Sequence, residues 1–124
     1  MSTNGRDRKE LGIPKDGATY TDVHKAVMKN NVKKLKMYLD RGPGPWGHVD
    51  SQDWWGRTSL HRAVEKNYIS CVKEILIQGG NVNLREKWWS RTPLHIACEK
   101  GHAECVQHLI AYGADVNMWA KEGW

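Results

Sequence analysis

The sequence predicts an all-α fold, a solenoid of stacked helix pairs, and two features of the chain lead to this prediction. The first is a 34-residue self-similarity, in which residues 58–63 (TSLHRA) return as residues 92–97 (TPLHIA). Residues 79–83 (GGNVN) likewise return as 113–117 (GADVN). The second feature is that each copy reads as two short helices separated by glycine or asparagine. Because a unit of this size cannot bury its apolar face alone, neighbouring units must stack.

The first helix of each unit is predicted from its capping residues. In the third unit Thr92 suits the N-cap, and Pro93 suits the first helical position, where its missing N–H is not needed. Asp22 and Ser59 hold that first position in the earlier units. The negative charge of Asp22 is also stabilising at the N-terminus of the helix, which is the positive end of the helix dipole.

The end of the first helix and the course of the second are predicted in the same way. Gly101 is expected to end the helix in the left-handed conformation, and Asn30 and Asn67 replace it in the earlier units. The second helix of the third unit runs on to Gly113. Its apolar residues are Cys105, Val106, Leu109 and Ile110.

The first unit is fainter than the other two. Residues 21–26 repeat the helix start 37 residues before the second copy, and the extra length falls in the loop over residues 42–48. We therefore predict a polar tail over residues 1–18, followed by a repeat domain over residues 19–124. Its units cover residues 19–49, 50–83 and 84–117, with the start of a fourth over 118–124.

Composition and charge favour a cytoplasmic protein. No apolar run approaches the roughly 18–20 residues of a membrane span, and residues 1–17 are too polar for a secretory signal. Three cysteines do not make a disulfide framework.

The charge is unevenly distributed along the chain. Residues 1–41 hold 10 Lys/Arg and 5 Asp/Glu, a net charge of +5, whereas residues 42–124 hold 9 of each and are neutral.

These repeated motifs resemble the ankyrin repeat over about residues 19–124. The TPLHIA stretch at residues 92–97 matches the signature of that family, and the GADVN stretch at 113–117 matches the usual repeat end. The resemblance implies a gently curved array of helix pairs, with β-hairpin fingers that project from one edge. The fingers and the inner helices would line a concave surface.

The chain departs from the family pattern at three places. The loop over residues 42–48 is an insertion in the first finger. The second finger, residues 84–91, has one residue more than usual, and Ser90 stands where glycine is expected. The sequence also stops early in a fourth unit, which suggests a cut inside a longer array or an engineered chain.

Histidines and cysteines at repeat positions are interpreted as structural. His24, His61 and His95 recur once per unit, so they would lie too far apart to share a metal ion. We expect each to hydrogen-bond between the turn and the helix of its own or a neighbouring unit. The cysteines are expected to be small buried hydrophobes. They are Cys71, Cys98 and Cys105.

No motif predicts an enzyme, a cofactor or a metal site. The sequence has no Gly-rich phosphate loop, no nucleophile elbow and no paired acidic motif. The Gly and Pro residues of the loop over 42–48 are typical of turns. We therefore expect neither catalysis nor a small-molecule substrate.

The tryptophans are the most informative residues, since the chain has 7 Trp and no Phe. Two pairs fall at the tips of the first and second fingers: Trp54 with Trp55, and Trp88 with Trp89. Trp119 lies on the way to a third tip, and Trp46 lies in the inserted loop. The family places exposed, usually polar, residues at such tips, so these indoles are predicted to contact a partner rather than to fill the core.

The leading hypothesis is a non-enzymatic module that binds another protein. Trp and Arg are enriched at the energetic centres of interfaces, and the ends of the inner helices would supply a polar rim. The predicted anchors are Trp54, Trp55, Arg57, Trp88, Trp89, Arg91, Trp46 and Trp119. The predicted rim is Glu65, Lys66, Glu99 and Lys100.

Three alternatives stay open at this point. The chain could bind single-stranded nucleic acid through stacking on Trp and through its basic first third, although Lys33, Lys34 and Lys36 also fit a solvated helix face. It could be the regulatory segment of a larger enzyme or channel. It could also be a natural scaffold whose finger residues were redesigned to bind a chosen target.

Overall fold

The computed structural model describes residues 20–117, and six helices in this range form three successive pairs. Helices α1, α3 and α5 pack side by side in one layer, and α2, α4 and α6 form the second layer. The predicted all-α stack of helix pairs is confirmed. The helices are α1 (Asp22–Met28), α2 (Val32–Asp40), α3 (Ser59–Lys66), α4 (Ile69–Ile77), α5 (Pro93–Lys100) and α6 (Ala103–Ala111).

A reciprocal capping box starts each helix of the first layer. A threonine side chain accepts a hydrogen bond from the backbone N–H of a histidine three residues on, and the histidine ring accepts one from the threonine N–H. The pairs are Thr21 with His24, Thr58 with His61, and Thr92 with His95. The predicted helix starts are therefore confirmed.

The predicted left-handed residues that end these helices are also confirmed. Asn30, Asn67 and Gly101 have φ of 52°, 59° and 71°. Ser90 adopts the same conformation, with φ of 57°, at the position where the family pattern has glycine. Asparagine reaches this region at a small cost, but serine does so less readily.

The capping histidines also join one repeat to the next. Since His61 Nδ1 accepts the Thr58 backbone N–H at 3.1 Å, Nε2 carries the proton and donates to the Arg91 carbonyl at 3.0 Å. His24 makes the same contact with the Arg57 carbonyl, also at 3.0 Å. The expected structural role of these two histidines is confirmed.

We expect the array to lose stability as the pH falls through the range in which histidine titrates. Burial lowers the pKa of His61 from 6.5 to about 4, and burial also lowers that of His24. Because a histidine with a depressed folded-state pKa favours the folded state only while neutral, its contribution is complete above pH 6.5 and is lost toward pH 4. For His61 alone the loss is about 2 kcal/mol at about pH 5.

Urea unfolding at about pH 7.5 and about pH 5 measures this loss. The His48→Asn variant is the control, because His48 is exposed and outside the core, and it should keep the parent's pH dependence. A free energy of unfolding that is equal at the two pH values would contradict the buried, neutral state of His61.

The core runs continuously between the two helix layers. Leu94, predicted to join the second and third units, is 8% exposed. The largest fully buried aliphatic side chains are Leu35, Leu60, Ile75, Ile96 and Leu109.

The prediction of three buried cysteines is wrong for Cys98. Cys71 and Cys105 are buried, and burial raises the pKa of each thiol to about 11, but Cys98 is exposed. Its repeat equivalents Val27 and Val64 are fully buried between neighbouring first-layer helices. Among the described residues α5 has such a neighbour on one side only, so Cys98 stays open.

The expected β-hairpin fingers are not confirmed, because residues 20–117 contain no strand. Backbone hydrogen bonds close each finger. In the first finger Asp53 N–H donates to the Arg57 carbonyl and Gly56 N–H donates to the Asp53 carbonyl, both at 2.9 Å, and in the second Glu86 N–H donates to the Arg91 carbonyl at 3.0 Å. In the first finger the Asp53 carboxylate also accepts the backbone N–H groups of Trp55 and Arg57. The Asp53 side chain therefore acts as the acceptor for these two N–H groups, a role that backbone carbonyl groups of a paired strand would have in a β-hairpin.

Some predictions fall outside the described residues. They are the polar tail over residues 1–18, the fourth unit over 118–124 and the role of Trp119. Across residues 20–117, none of the helices has the length and apolar character needed to cross a membrane.

Candidate functional site

The four tryptophans at the finger tips line one groove. Trp54 and Trp55 come from the first finger and Trp88 and Trp89 from the second, and the groove between them encloses 430 Å³. Arg57 and Glu86 complete its lining. The 34-residue repeat explains this meeting, since equivalent residues of adjacent units lie side by side.

Direct ring contacts hold the indoles together. The ring centroids of Trp54 and Trp88 lie 4.5 Å apart, so the contact bridges the two fingers. Trp55 meets Trp54 edge-on at 5.6 Å. Trp55, Trp88 and Trp89 remain 37%, 41% and 50% exposed, and none of the four tip tryptophans packs against the hydrophobic core. The groove is therefore an aromatic surface separate from the core.

The four indole N–H groups have no hydrogen-bond acceptor within residues 20–117. Trp46 provides the contrast, because its Nε1 donates to the Gly42 carbonyl at 2.8 Å. The tryptophans that form the wall of the groove therefore carry unpaired donors.

An ionic cluster forms the floor of the groove. The Glu86 side chain is 2% exposed, and its Oε1 accepts from Arg57 Nε at 2.8 Å, while its Oε2 accepts from Arg91 Nε. Burial alone would raise the pKa of Glu86, but the hydrogen bonds from Arg91 and Arg57 outweigh it and hold that pKa below its usual value. Arg57 thus lines the groove together with the tryptophans, and Arg91 is joined to it through Glu86, which compensates the charge of both arginines.

The predicted polar rim divides into two kinds of residue. Glu65 lies 3.4 Å from Arg57, and Glu99 lies 2.6 Å from Arg91, so both carboxylates neutralise the floor. Lys66 and Lys100 are exposed, and within residues 20–117 neither has an ion pair. The two lysines therefore keep uncompensated positive charge at the ends of the inner helices.

Two further residues extend the aromatic surface, and the sequence analysis missed both. The Arg62 guanidinium lies 5.6 Å from the Tyr20 ring centroid and 5.5 Å from that of Trp55, and Asp53 fixes it through a 2.8 Å ion pair. Tyr20 stacks on Trp55 at 6.2 Å. The sequence did carry one sign that Arg62 is unusual, because Arg62 stands at the repeat position where the third unit has the apolar residue Ile96.

Lys87 was also missed, although it precedes Trp88 directly. Its ammonium lies 5.4 Å from the Trp54 ring and 5.3 Å from the Trp88 ring, and within the described chain it has no carboxylate partner. Its backbone N–H donates to the Trp55 carbonyl at 2.8 Å, which ties the second finger to the first. The groove thus carries one unpaired positive charge against its aromatic wall.

Trp46 lies apart from the groove, although the sequence grouped it with the other anchors. It stacks on Tyr38 at a centroid distance of 6.4 Å and packs against the core. Its carbonyl accepts the Val23 N–H at 3.1 Å. The inserted loop therefore folds back over α1 and α2.

The basic residues of the first unit also lie away from the tryptophans. Lys33, Lys34 and Lys36 are exposed on α2. Lys34 lines a separate cavity of 350 Å³ with Lys25 and Lys29, and this cavity shares no lining residue with the groove. The structure does not bring the basic residues and the indoles together.

Within residues 20–117 no cluster of three or more His, Cys, Asp or Glu side chains has the arrangement of a metal site.

Comparison with known proteins supports the repeat organisation. A family model described as ankyrin repeats, in three copies, matches residues 15–124. A comparison with curated proteins finds no match.

Proposed function

The chain belongs to the ankyrin repeat family, and from this premise we propose that it binds a partner protein through the groove between its first two fingers. Ankyrin repeats generally mediate interactions between proteins and are typically not enzymes. The groove tryptophans, Trp54, Trp55, Trp88 and Trp89, act as the anchors. The ionic floor under them fixes their positions.

The observation that carries this proposal is the exposed aromatic cluster. Three of the four indoles are more than one-third exposed, yet they lie together in one concave surface rather than scattered over the molecule. Contiguous apolar surface of this kind marks interaction sites on soluble proteins. Trp and Arg, which meet here, are also the residue types that dominate binding energy.

Nucleic-acid binding is the weaker alternative. The ring centroids of Trp54 and Trp88 lie only 4.5 Å apart, with the rings tilted by 39°, so no base can stack between them. Lys34 of α2 lines a different cavity, together with Lys25 and Lys29. The segment that contains the groove also lies in the electrically neutral part of the chain.

An affinity capture with matched variants tests the proposal. We expect the parent chain and the Lys33→Ala/Lys34→Ala variant to capture the same partner. A variant with all four groove tryptophans changed to alanine should lose it. Each anchoring tryptophan changed singly to alanine should weaken binding by at least about 2 kcal/mol, because tryptophans that become buried at an interface typically carry much of its binding energy.

Circular dichroism of each variant separates loss of binding from loss of folding. The tip indoles do not belong to the core, so the variants should remain folded. A folded variant without the four indoles that captures the partner as well as the parent would refute the proposal. Binding that disappears with added salt and depends on Lys33 and Lys34 would favour nucleic acid instead.

A further inference from the structure

We propose that the groove binds a proline-rich segment of the partner in the polyproline II conformation, with an acidic residue beside the prolines. This inference rests on the function proposed above and specifies the chemistry of the partner. Three observations carry it: the indole N–H groups without acceptors, the carboxylate of the floor that two arginines already bind, and the unpaired Lys87 ammonium over the tryptophan rings.

The hydrogen-bonding groups of the groove match a backbone rich in carbonyl groups. The four tryptophans that line it each carry an indole N–H group, and none of these groups has an acceptor within the described residues. A polyproline II segment has no internal hydrogen bonds, so its carbonyl groups are free to accept from these donors.

The groove offers little to a ligand that must donate hydrogen bonds. Among the described residues, Glu86 supplies the only carboxylate in the lining, and each of its oxygen atoms already accepts from an arginine. A backbone N–H lying over this floor would compete with the two arginines for Glu86, and an N–H group that found no acceptor would carry a desolvation cost. Proline has no backbone N–H, so a run of prolines avoids this cost.

The shape and composition of the groove also suit proline rings. Its volume of 430 Å³ lies between indole walls supplied by two separate fingers. Polyproline II segments dock in grooves lined by aromatic residues, and they are already extended in solution. Flat indole faces and edges cover the apolar pyrrolidine rings along such a segment.

The charges around the groove specify the residue beside the prolines. Arg57, Arg62 and Arg91 are compensated by Asp53, Glu65, Glu86 and Glu99. Lys87, whose ammonium lies over the Trp54 and Trp88 rings, has no ion pair within residues 20–117. An acidic residue next to the prolines would pair with this ammonium, whereas a basic one would be repelled.

Two other ligand classes fit the same aromatic wall less well. An ammonium group would meet Lys87, whose own ammonium already lies over the Trp54 and Trp88 rings. A sugar needs acceptors for its hydroxyl groups, and two arginines already bind the carboxylate in the lining. Both classes therefore serve as alternative outcomes of the test.

Nuclear magnetic resonance of the ¹⁵N-labelled chain gives a direct test. The probe is a synthetic oligoproline peptide that ends in glutamates. We expect it to shift the indole N–H signals of the four groove tryptophans, while the Trp46 signal, which is already hydrogen-bonded, stays in place. A glycine–serine peptide with the same glutamates and an oligoproline peptide that ends in lysines should both bind at least about tenfold more weakly.

Variants of one indole separate the ring from its N–H group. Trp88→Phe keeps an aromatic ring and removes one donor, so the oligoproline peptide should bind about five-fold more weakly. Trp88→Ala should weaken binding at least about tenfold. Tyr112→Ala is the matched control, because Tyr112 is 50% exposed and does not line the groove, and it should bind as the parent does.

The inference is overturned if the oligoproline peptide leaves the four signals unmoved or binds no better than the glycine–serine peptide. It is also overturned if a lysine-ended peptide binds equally well, or if trimethyllysine or a glucan oligosaccharide shifts these signals and the oligoproline does not. If the peptide fails but capture of the partner still depends on the four tryptophans, the proposed function survives and this inference falls. If capture does not depend on them, both fall.

Discussion

Changing Leu94 to alanine should lower the free energy of unfolding by about 2–5 kcal/mol. Leu94 is 8% exposed and lies on α5, the helix that packs against α3 of the preceding unit. The change removes apolar contacts and leaves a cavity between two first-layer helices. Small domains have about 5–15 kcal/mol of stability in total, so this one change should threaten the whole array. Urea unfolding followed by circular dichroism measures it.

The matched control for Leu94→Ala is Ile77→Ala. Ile77 is also a large aliphatic residue on a helix, but it is 66% exposed. Its replacement should change stability by less than about 0.5 kcal/mol. If Leu94→Ala proves as mild as Ile77→Ala, the register of the repeats is wrong.

Changing Glu86 to glutamine should destabilise the fold by roughly 3 kcal/mol, because it breaks a buried ion pair and leaves Arg57 and Arg91 with only their more exposed partners, Glu65 and Glu99. Glu86 joins Arg57 of the first finger to Arg91 of the second, and its side chain is 2% exposed. Glutamine keeps the volume, so a loss of stability reports on the charge. The free energy of unfolding at neutral pH measures the effect.

A second substitution and the pH dependence identify this interaction. Glu99→Gln removes a carboxylate that also pairs with Arg91 but is 36% exposed, so it should cost about 1 kcal/mol or less. The folded-state pKa of Glu86 lies below its ordinary value of 4.5. Its contribution is therefore complete above pH 4.5 and is lost as the pH falls through the folded-state pKa. Glu86→Gln should lack this acid-dependent loss, and its presence in the variant would assign the loss to another group.

Local chemistry explains why the helices could be predicted. Thr58 with His61, and Thr92 with His95, form complete capping boxes within four residues of chain, so no distant contact is needed. The left-handed residues Asn67 and Gly101 are equally local. Repetition places equivalent residues of adjacent units side by side, which explains why the two tryptophan pairs lie in one groove.

Features that depend on distant neighbours could not be predicted. Cys98 shares its repeat position with buried valines, and its exposure depends on which helices flank α5. Trp46 lies in an insertion, so no repeat equivalent indicated that it would pack on Tyr38. Arg62 contacts Tyr20, a residue that precedes the repeat signature. The finger strands were implied by the resemblance alone, and the Asp53 carboxylate supplies other acceptors.

The histidine contacts between repeats have a consequence for recognition. His24 hydrogen-bonds to the carbonyl group of Arg57, and His61 to that of Arg91. The side chains of the same two arginines donate hydrogen bonds to Glu86 in the floor of the groove. The finger backbone is thus fastened to the buried helix layer at the residues that support the indoles. A surface fixed in this way need not be ordered when a partner arrives, so little conformational entropy is lost on association. The groove is preorganised.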